Sequence, residues 1–233
     1  MLSVSGIHTY YGRAHILADV SLSVTPGEVV VLLGRNGAGK TTTMKSIMGL
    51  VPLRAGRVEF AGQPIHGLAP FRIARLGLGY VPEDRRVFTS LTVRENLEIG
   101  RQAPRADATP WTWERISQLF PNLAGMPQRL GGRMSGGEQQ MLTIARTLMG
   151  NPSCLLLDEP SEGVAPVIVD LMADAVRRLK QEGVGILLSE QNLHFAQSVG
   201  DRAYIIEKGR IRYQGTMAEL AAHDEVREQY LAL

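Results

Sequence analysis

The sequence predicts an α/β fold with a mostly parallel sheet, because short apolar runs alternate with helical patterns. Val29–Leu33 is a run of five branched apolar residues, which is typical of a strand buried on both faces. A predicted helix follows it over residues 42–48. Ser153–Asp158 and Gly185–Ser189 are further short apolar runs, and a predicted helix over Pro166–Lys180 separates them. Such alternation of strands and helices is typical of parallel sheets.

The residues around this first strand predict a second sheet, which is antiparallel. Leu2–Val24 alternates apolar and polar residues, as half-exposed strands do. Gly56–Ile65 predicts a hairpin that turns at Ala61-Gly62. A helix over Pro70–Arg75 and a short strand over Leu78–Val81 are expected next.

Between residues 88 and 150 helical periodicity dominates. Thr92 and Glu95 form a capping box that opens one helix, and Trp111–Phe120 predicts a second. Ala103–Pro110, rich in proline, alanine and polar residues, is the expected exposed linker between them. Because sheet patterning returns at Cys154, this segment is interpreted as an insertion. The predicted division of a single domain 1–233 is a core with an antiparallel β lobe, 1–87 and 151–233, and a helical lobe, 88–150.

The last part of the chain predicts a hairpin and a final helix. Ala203–Glu207 and Arg210–Gln214 flank the turn residues Lys208-Gly209. Thr216, followed three residues later by a glutamate, is expected to cap the final helix.

Composition excludes several classes of protein. The 233 residues are 44% hydrophobic and 21% charged, which is ordinary for a globular protein. A net charge of +2 is too mild to indicate nucleic acid as a partner. One cysteine, Cys154, permits neither a disulfide framework nor a cysteine metal site, as expected in a reducing compartment. The first residues lack the order of a signal peptide and no apolar stretch approaches the roughly 18 residues of a membrane span, so a cytoplasmic location is expected.

The segment after the first strand matches the phosphate-loop pattern G-x-x-x-x-G-K-[ST]. Its glycines let backbone N–H groups approach phosphate oxygens, and the following helix adds a positive field. Lys40 can hold the β- and γ-phosphates, and the Thr41 hydroxyl can ligate Mg²⁺. The alternative is a chance match in a glycine-rich loop. The predicted nucleotide contacts here are Gly34, Arg35, Asn36, Gly37, Ala38, Gly39, Lys40, Thr41 and Thr42.

Two carboxylates follow the second apolar strand. Asp158, at the carboxyl end of the strand, is expected to hold Mg²⁺ through water. Glu159 is placed to polarise a water for in-line attack on the γ-phosphate. The alternative is a plain Asp-Glu pair at the start of a helix.

The sequence Met134-Ser-Gly-Gly-Glu138 lies between these two motifs. Ser135 and Glu138 form a capping box, so the simpler interpretation is a well-started helix over Gly136–Leu148. Two glycines would serve that purpose poorly, because glycine costs about 1 kcal/mol per helical position. Gly136 and Gly137 are understandable if an outside phosphate must approach bare N–H groups at the helix start.

In this order, the motifs GRNGAGKT, MSGGE and LLLDEP resemble those of the nucleotide-binding subunit of an ABC transporter. MSGGE stands at the family's signature position, and the resemblance covers essentially the whole chain. It implies a P-loop NTPase (RecA-like) core with an antiparallel β subdomain and an inserted α-helical subdomain. PEDRRVF, MSGGEQQML and SEQN further resemble ATPases of branched-chain, or hydrophobic, amino acid importers. Urea or short-chain amide importers, and ABC ATPases that act on ribosomes or DNA without a transporter, are the alternatives.

The resemblance also implies roles for residues outside the three motifs. Tyr11 matches the aromatic residue that stacks on adenine, the alternative being a strand tyrosine with a solvated hydroxyl. Glu83 stands where many members carry a glutamine close to Mg²⁺, and either the metal or an arginine such as Arg85 is expected to offset its charge. Gln191 stands where most members carry a histidine; it can donate an N–H but cannot shuttle a proton, which places the base role on Glu159.

The resemblance implies ATP and Mg²⁺ as cofactors and an assembly at the membrane. Each ATP would lie between Lys40 of one subunit and Ser135–Gly137 of a second, homologous or paralogous subunit in a head-to-tail pair. Two transmembrane permease subunits, and indirectly a substrate-binding protein, complete the expected assembly, with no nucleic acid. The chain would sit on the inner face of the cell membrane.

Overall fold

A computed structural model describes residues 1–103 and 109–231. In this part of the chain the strands are β1 (Leu2–Tyr11), β2 (Ala14–Val24), β3 (Val29–Leu33), β4 (Leu53–Phe60), β5 (Gln63–Pro64), β6 (Leu78–Val81), β7 (Cys154–Asp158), β8 (Gly185–Glu190), β9 (Arg202–Glu207) and β10 (Arg210–Thr216). The helices are α1 (Lys40–Ile47), α2 (Pro70–Arg75), α3 (Val93–Gly100), α4 (Trp113–Leu119), α5 (Pro121–Ala124), α6 (Gly136–Leu148), α7 (Pro166–Gln181), α8 (Leu193–Val199), α9 (Met217–Ala222) and α10 (Asp224–Leu231), with a 3₁₀ turn at Gly131–Arg133.

The strands form two sheets, as the sequence predicts. The larger sheet has the order β10-β9-β3-β8-β7-β6, and its neighbouring strands run parallel except for the antiparallel pair β9 and β10. The smaller sheet, β2-β1-β4-β5, is antiparallel throughout. The α/β fold with a parallel core and an antiparallel β lobe is therefore confirmed.

β3 lies at the centre of the molecule because both of its faces are buried. Val29, Val31 and Leu33 belong to a core shared with helices α3 to α9. Val30 and Leu32 belong to a second core that includes residues of β1, β2 and α1. All five residues are fully buried, which explains why this strand is continuously apolar rather than alternating.

The segment between β6 and β7 is helical, although these two strands are neighbours in the sheet. Helices α3, α4, α5 and α6 fill it. Both expected capping boxes are formed here, at Thr92 and at Ser135. Among the described residues no helix combines the length and apolar character needed to cross a bilayer.

Some predicted boundaries differ from the structure. α1 begins at Lys40 rather than at 42, directly from the glycine loop. α4 begins at Trp113 rather than at 111, because the Thr112 hydroxyl accepts a hydrogen bond from Arg115 N and caps the helix. The helix capped by Thr216 is followed by α10, so it is not the final one. Most of the expected linker 103–110 lies outside the described residues.

Candidate functional site

The glycine loop joins β3 to α1 and needs glycine for two physical reasons. Gly39 has a φ of 116°, which other residues rarely adopt, and it directly precedes the helix. A Cβ on Gly34 would lie 2.5 Å from the carbonyl oxygen of Ile206, so only glycine fits against that strand. The loop therefore combines close packing underneath with exposed residues 35–37 on top.

Lys40 is 3% exposed and its ammonium group is held by oxygen atoms. Its Nζ donates to the carbonyl oxygens of Gly34 at 2.5 Å and Arg35 at 3.0 Å. It also lies 3.1 Å from Oε1 of Glu159. The lysine of the loop is thus paired directly with the carboxylate that follows β7.

Asp158, at the end of β7, is fully buried and accepts three side-chain hydrogen bonds. Its Oδ1 accepts from Ser189 Oγ at 2.7 Å and from Thr41 Oγ1 at 3.1 Å, and its Oδ2 accepts from Tyr80 OH at 3.0 Å. Burial raises the pKa of Asp158, and the three hydrogen bonds offset part of that effect. The aspartate is therefore rigidly oriented toward the loop threonine.

Glu159 lies between a cation and an amide. Its Oε2 accepts a hydrogen bond from Gln191 Nε2 at 2.8 Å, and the same amide donates to Asn36 Oδ1 at 2.7 Å. Burial alone would raise the pKa of Glu159, but the Gln191 hydrogen bond and the charge of Lys40 outweigh it, so the pKa lies below its usual value. The backbone of Glu159 has a φ of 47°, an unfavourable conformation that the surrounding contacts maintain.

These groups meet at the carboxyl ends of β3, β7 and β8, beside a cavity of about 310 Å³. Tyr11, 47% exposed, and Glu83 form part of its wall. The cavity is lined by Tyr11, Ile16, Asn36, Gly37, Gly39, Lys40, Thr41, Thr42, Glu83 and Glu159. Residues 135–138 do not line it.

The start of α6 has the capping geometry that its sequence predicts. Ser135 N donates to Glu138 Oε2 at 2.7 Å, and Glu138 N donates to Ser135 Oγ at 3.3 Å. The two glycines, however, also have reasons inside the chain. A Cβ on Gly136 would overlap the guanidinium of Arg85, and a Cβ on Gly137 would lie 3.0 Å from the side chain of Ile168.

Of the two expected ways to offset the charge of Glu83, a metal ion or an arginine such as Arg85, the ion pair with Arg85 is not formed. Arg85 Nη2 donates instead to the carbonyl oxygen of Glu162, at 3.3 Å. Within the described residues Glu83 has no ion pair. Arg86 pairs with Asp84 instead.

Sequence reasoning missed the buried groups that support the carboxylates. Tyr80 and Ser189 orient Asp158, and Glu190 holds the following segment by accepting from the backbone N–H of Ser161 at 3.1 Å. Glu190 is 2% exposed, and burial raises its pKa. Ser189 and Glu190 begin the run SEQN, and polar residues at the end of an otherwise apolar strand were the available signal.

Comparison with known proteins agrees with this geometry. A model of the ABC transporter family matches residues 17–162. The high-affinity branched-chain amino acid transport ATP-binding protein BraG of Pseudomonas aeruginosa is 43% identical over 231 residues, covering 99% of each chain. The lipopolysaccharide export system ATP-binding protein LptB of Escherichia coli K12 is 36% identical over 224 residues, 95% of this chain and 92% of that one.

Comparison with solved structures identifies the same family. The crystal structure of a nucleotide-free ATP-binding cassette from an ABC transporter matches with a TM-score of 0.84 and 28% identity, covering 98% of this chain and 97% of that chain. The residues that the family model matches include the glycine loop, both carboxylates and the helical segment. The chain therefore belongs to the ABC transporter family and is one of its ATP-hydrolysing subunits.

Proposed function

We propose that this subunit energises an importer of branched-chain or other hydrophobic amino acids. The similarity to BraG supports this cargo, because it is higher than the similarity to LptB and extends over 99% of both chains. An importer of urea or short amides would use the same ATPase chemistry, so the cargo has to be tested by transport.

The hydrolytic role of Glu159 rests on its contact with Gln191. The amide donates one N–H to the carboxylate and keeps its other contact on the glycine loop, so it fixes the direction in which Glu159 points. Glu159 would accept the proton of the attacking water, and Gln191 would orient this base without taking up the proton itself.

Lys40 would change partners when the nucleotide binds. Its ammonium now pairs with Glu159 at 3.1 Å, and the triphosphate would compete for the same charge. Because the Lys40 charge lowers the pKa of Glu159, moving that charge to the phosphates would make the carboxylate a stronger base. Binding would thus activate the base, and Tyr11, which also lines the cavity, would stack on the adenine.

The residues present fit Mg²⁺. Thr41 Oγ1 and Asp158 Oδ1 are hard oxygen donors 3.1 Å apart, and Mg²⁺ at such sites takes one or two protein oxygens together with phosphate and water. Glu83, which lines the same cavity as Thr41, is a further carboxylate. The ion would neutralise charge that develops on the β- and γ-phosphates.

The remaining phosphate contacts would come from a second subunit. Ser135–Gly137 and Glu138 do not line the cavity that holds Lys40, so the signature turn of one chain would serve the nucleotide of another, in a head-to-tail pair. Gly137 is buried against Ile168, whereas Ser135 is exposed and available to such a neighbour.

The permease subunits would dock in an apolar groove that shares no lining residue with the nucleotide cavity. This groove, about 460 Å³, is lined by residues from both sides of the predicted lobe boundary at 87/88. Leu50, Phe71, Phe88 and Ile99 are large apolar side chains, each at least 45% exposed, at its edge. Docking there would hold the chain at the inner face of the membrane and cover surface that is unfavourable in water.

Two experiments test this function. With Glu159→Gln and ATP, size-exclusion chromatography should show a stable dimer; a monomer at every ATP concentration would count against the head-to-tail scheme. In cells, deletion of the gene should abolish uptake of labelled leucine and leave uptake of labelled urea unchanged. The reverse result would assign the amide cargo.

A further inference from the structure

The turn after β6 connects the nucleotide cavity to the start of α6. Glu83 is part of the cavity wall, and Arg85 lies two residues further along the chain. Arg85 and Arg86 have φ values of 59° and 48°, so the turn is held in a conformation that neither residue favours. Such a turn persists only where contacts define its shape.

Arg85 makes those contacts with both its backbone and its side chain. Its carbonyl oxygen accepts from the buried hydroxyl of Thr143, on α6, at 2.5 Å. Its guanidinium occupies the space that a side chain on Gly136 would need. One arginine thus touches the signature helix at its first turn and again two turns later.

The guanidinium also reaches the segment that follows Glu159. Nη2 donates to the carbonyl oxygen of Glu162 at 3.3 Å and lies next to Gly163. The neighbouring carboxylate of Glu159 raises the pKa of Glu162. Arg85 therefore connects three segments, its own turn, α6 and the segment after Glu159, which belong to two different nucleotide sites in the proposed pair.

Electrostatics does not explain this position. A cation close to the N-terminus of a helix is disfavoured by the helix dipole. In the described residues Arg85 has no carboxylate partner, and its acceptor is a neutral carbonyl. The adjacent Arg86, in contrast, forms an ordinary exposed ion pair with Asp84 at 2.8 Å.

We propose that Arg85 is a positioning residue that couples the two nucleotide sites of the pair. It ties the signature turn Ser135–Gly137, which serves the partner's nucleotide, to the Glu83 turn and the Glu159–Gly163 segment, which face the subunit's own nucleotide. Filling one cavity then sets the position of the turn that completes the other, which is coupling between two defined sites. This proposal rests on the proposed head-to-tail pair.

The test measures pairing and binding separately. In the Glu159→Gln background, Arg85→Ala should raise the ATP concentration needed for half-maximal dimer about tenfold or more, since the hydrogen bond from the charged guanidinium to Glu162 is lost together with its packing on Gly136. Affinity for ADP, measured by titration calorimetry on dilute monomer, should stay within about twofold. Arg85→Lys keeps the charge but has a single ammonium, so the ATP concentration it needs for half-maximal dimer should lie between those of the parent and Arg85→Ala.

Arg86→Ala is the matched control, because it removes an adjacent, exposed guanidinium that contacts neither segment. It should dimerise like the parent. With otherwise unmodified chains, Arg85→Ala should also lower the Hill coefficient for ATP hydrolysis toward 1, which a simple loss of stability would not do.

The outcomes separate the two proposals. If the Glu159→Gln parent does not dimerise, the head-to-tail scheme fails and the coupling proposal fails with it. If the parent dimerises and Arg85→Ala does so at the same ATP concentration, only the coupling proposal is overturned. It is equally overturned if Arg85→Ala weakens ADP binding as much as pairing, because the role would then be structural.

Discussion

Replacing Gln191 by alanine removes the hydrogen bond that orients the proposed base. Gln191 Nε2 donates to Glu159 Oε2 at 2.8 Å, and no other side-chain amide does so among the described residues. Hydrogen bonds to a charged group contribute about 1.5–3 kcal/mol. Without this contact Glu159 is free to turn away from the attacking water, and if restoring its productive orientation costs the same amount, kcat should fall by roughly 10- to 100-fold, since about 1.4 kcal/mol corresponds to a factor of ten.

The substitution should also move the pH dependence of the reaction. The Gln191 hydrogen bond and the Lys40 charge together hold the pKa of Glu159 below its usual value. Without the hydrogen bond this pKa rises, so the carboxylate becomes protonated at a higher pH. The acid limb of the profile of kcat/KM, which reports on the free enzyme, should therefore shift to higher pH.

Steady-state ATPase assays that extend down to about pH 4, close to the pKa of an unperturbed glutamate, measure both effects. Asn36→Ala is the control, because it removes the second acceptor of the same amide and leaves the contact with Glu159 in place. Gln191→His restores an N–H donor and should recover part of the rate. An unshifted acid limb together with more than half of the parent kcat in Gln191→Ala would show that this amide does not orient the base.

Three other substitutions have defined outcomes. Tyr80→Phe removes a 3.0 Å hydrogen bond that lowers the pKa of Asp158, so the Asp158 carboxylate ionises less readily. The Mg²⁺ concentration needed for half-maximal ATPase activity should therefore rise severalfold. An unchanged Mg²⁺ titration would contradict this. Gly209 has a φ of 72° and no room for a Cβ beside Ile16, so Gly209→Ala should lower the free energy of unfolding by more than about 2 kcal/mol in chemical denaturation. Gly62 also has a positive φ but an open Cβ position, so Gly62→Ala should cost only about 1 kcal/mol. Equal losses would contradict the packing argument. Glu28→Gln should cost at most about 1 kcal/mol of unfolding free energy at pH 7, because solvent screens this partly exposed group. Burial alone would raise the pKa of Glu28 in the folded protein, but hydrogen bonds and the charge of Arg202 lower it below its unfolded value. The contribution is therefore present above the unfolded pKa and disappears as the pH falls through the folded pKa, so a difference that persists at low pH would refute it.

Local signals predicted the elements that have local causes. β3, β6, α2 and α6 have the bounds that the sequence indicates, because apolar runs, a proline and a serine-glutamate capping box fix their ends. The turn at Ala61-Gly62 has φ values of 51° and 80°, as expected of a tight hairpin.

Contacts between distant segments were not predictable in this way. Tyr80 reaches Asp158 because β6 pairs with β7 across the whole helical insertion, and nothing near either residue in the sequence indicates that pairing. Gly136 and Gly137 were interpreted through an outside phosphate alone. Their packing against Arg85 and Ile168 depends on segments far away in the chain.

The position of β3 between β8 and β9 has a consequence for how the protein is made. β3 is among the first strands to be synthesised, yet the strands that pair with it lie between residues 185 and 207. The contact that supports the glycine loop from below, from Gly209 N to the carbonyl oxygen of Ala38 at 2.8 Å, comes later still. A chain growing on the ribosome would thus expose an unpaired apolar strand until most of it has emerged, and it would acquire the ability to bind ATP only near the end of translation.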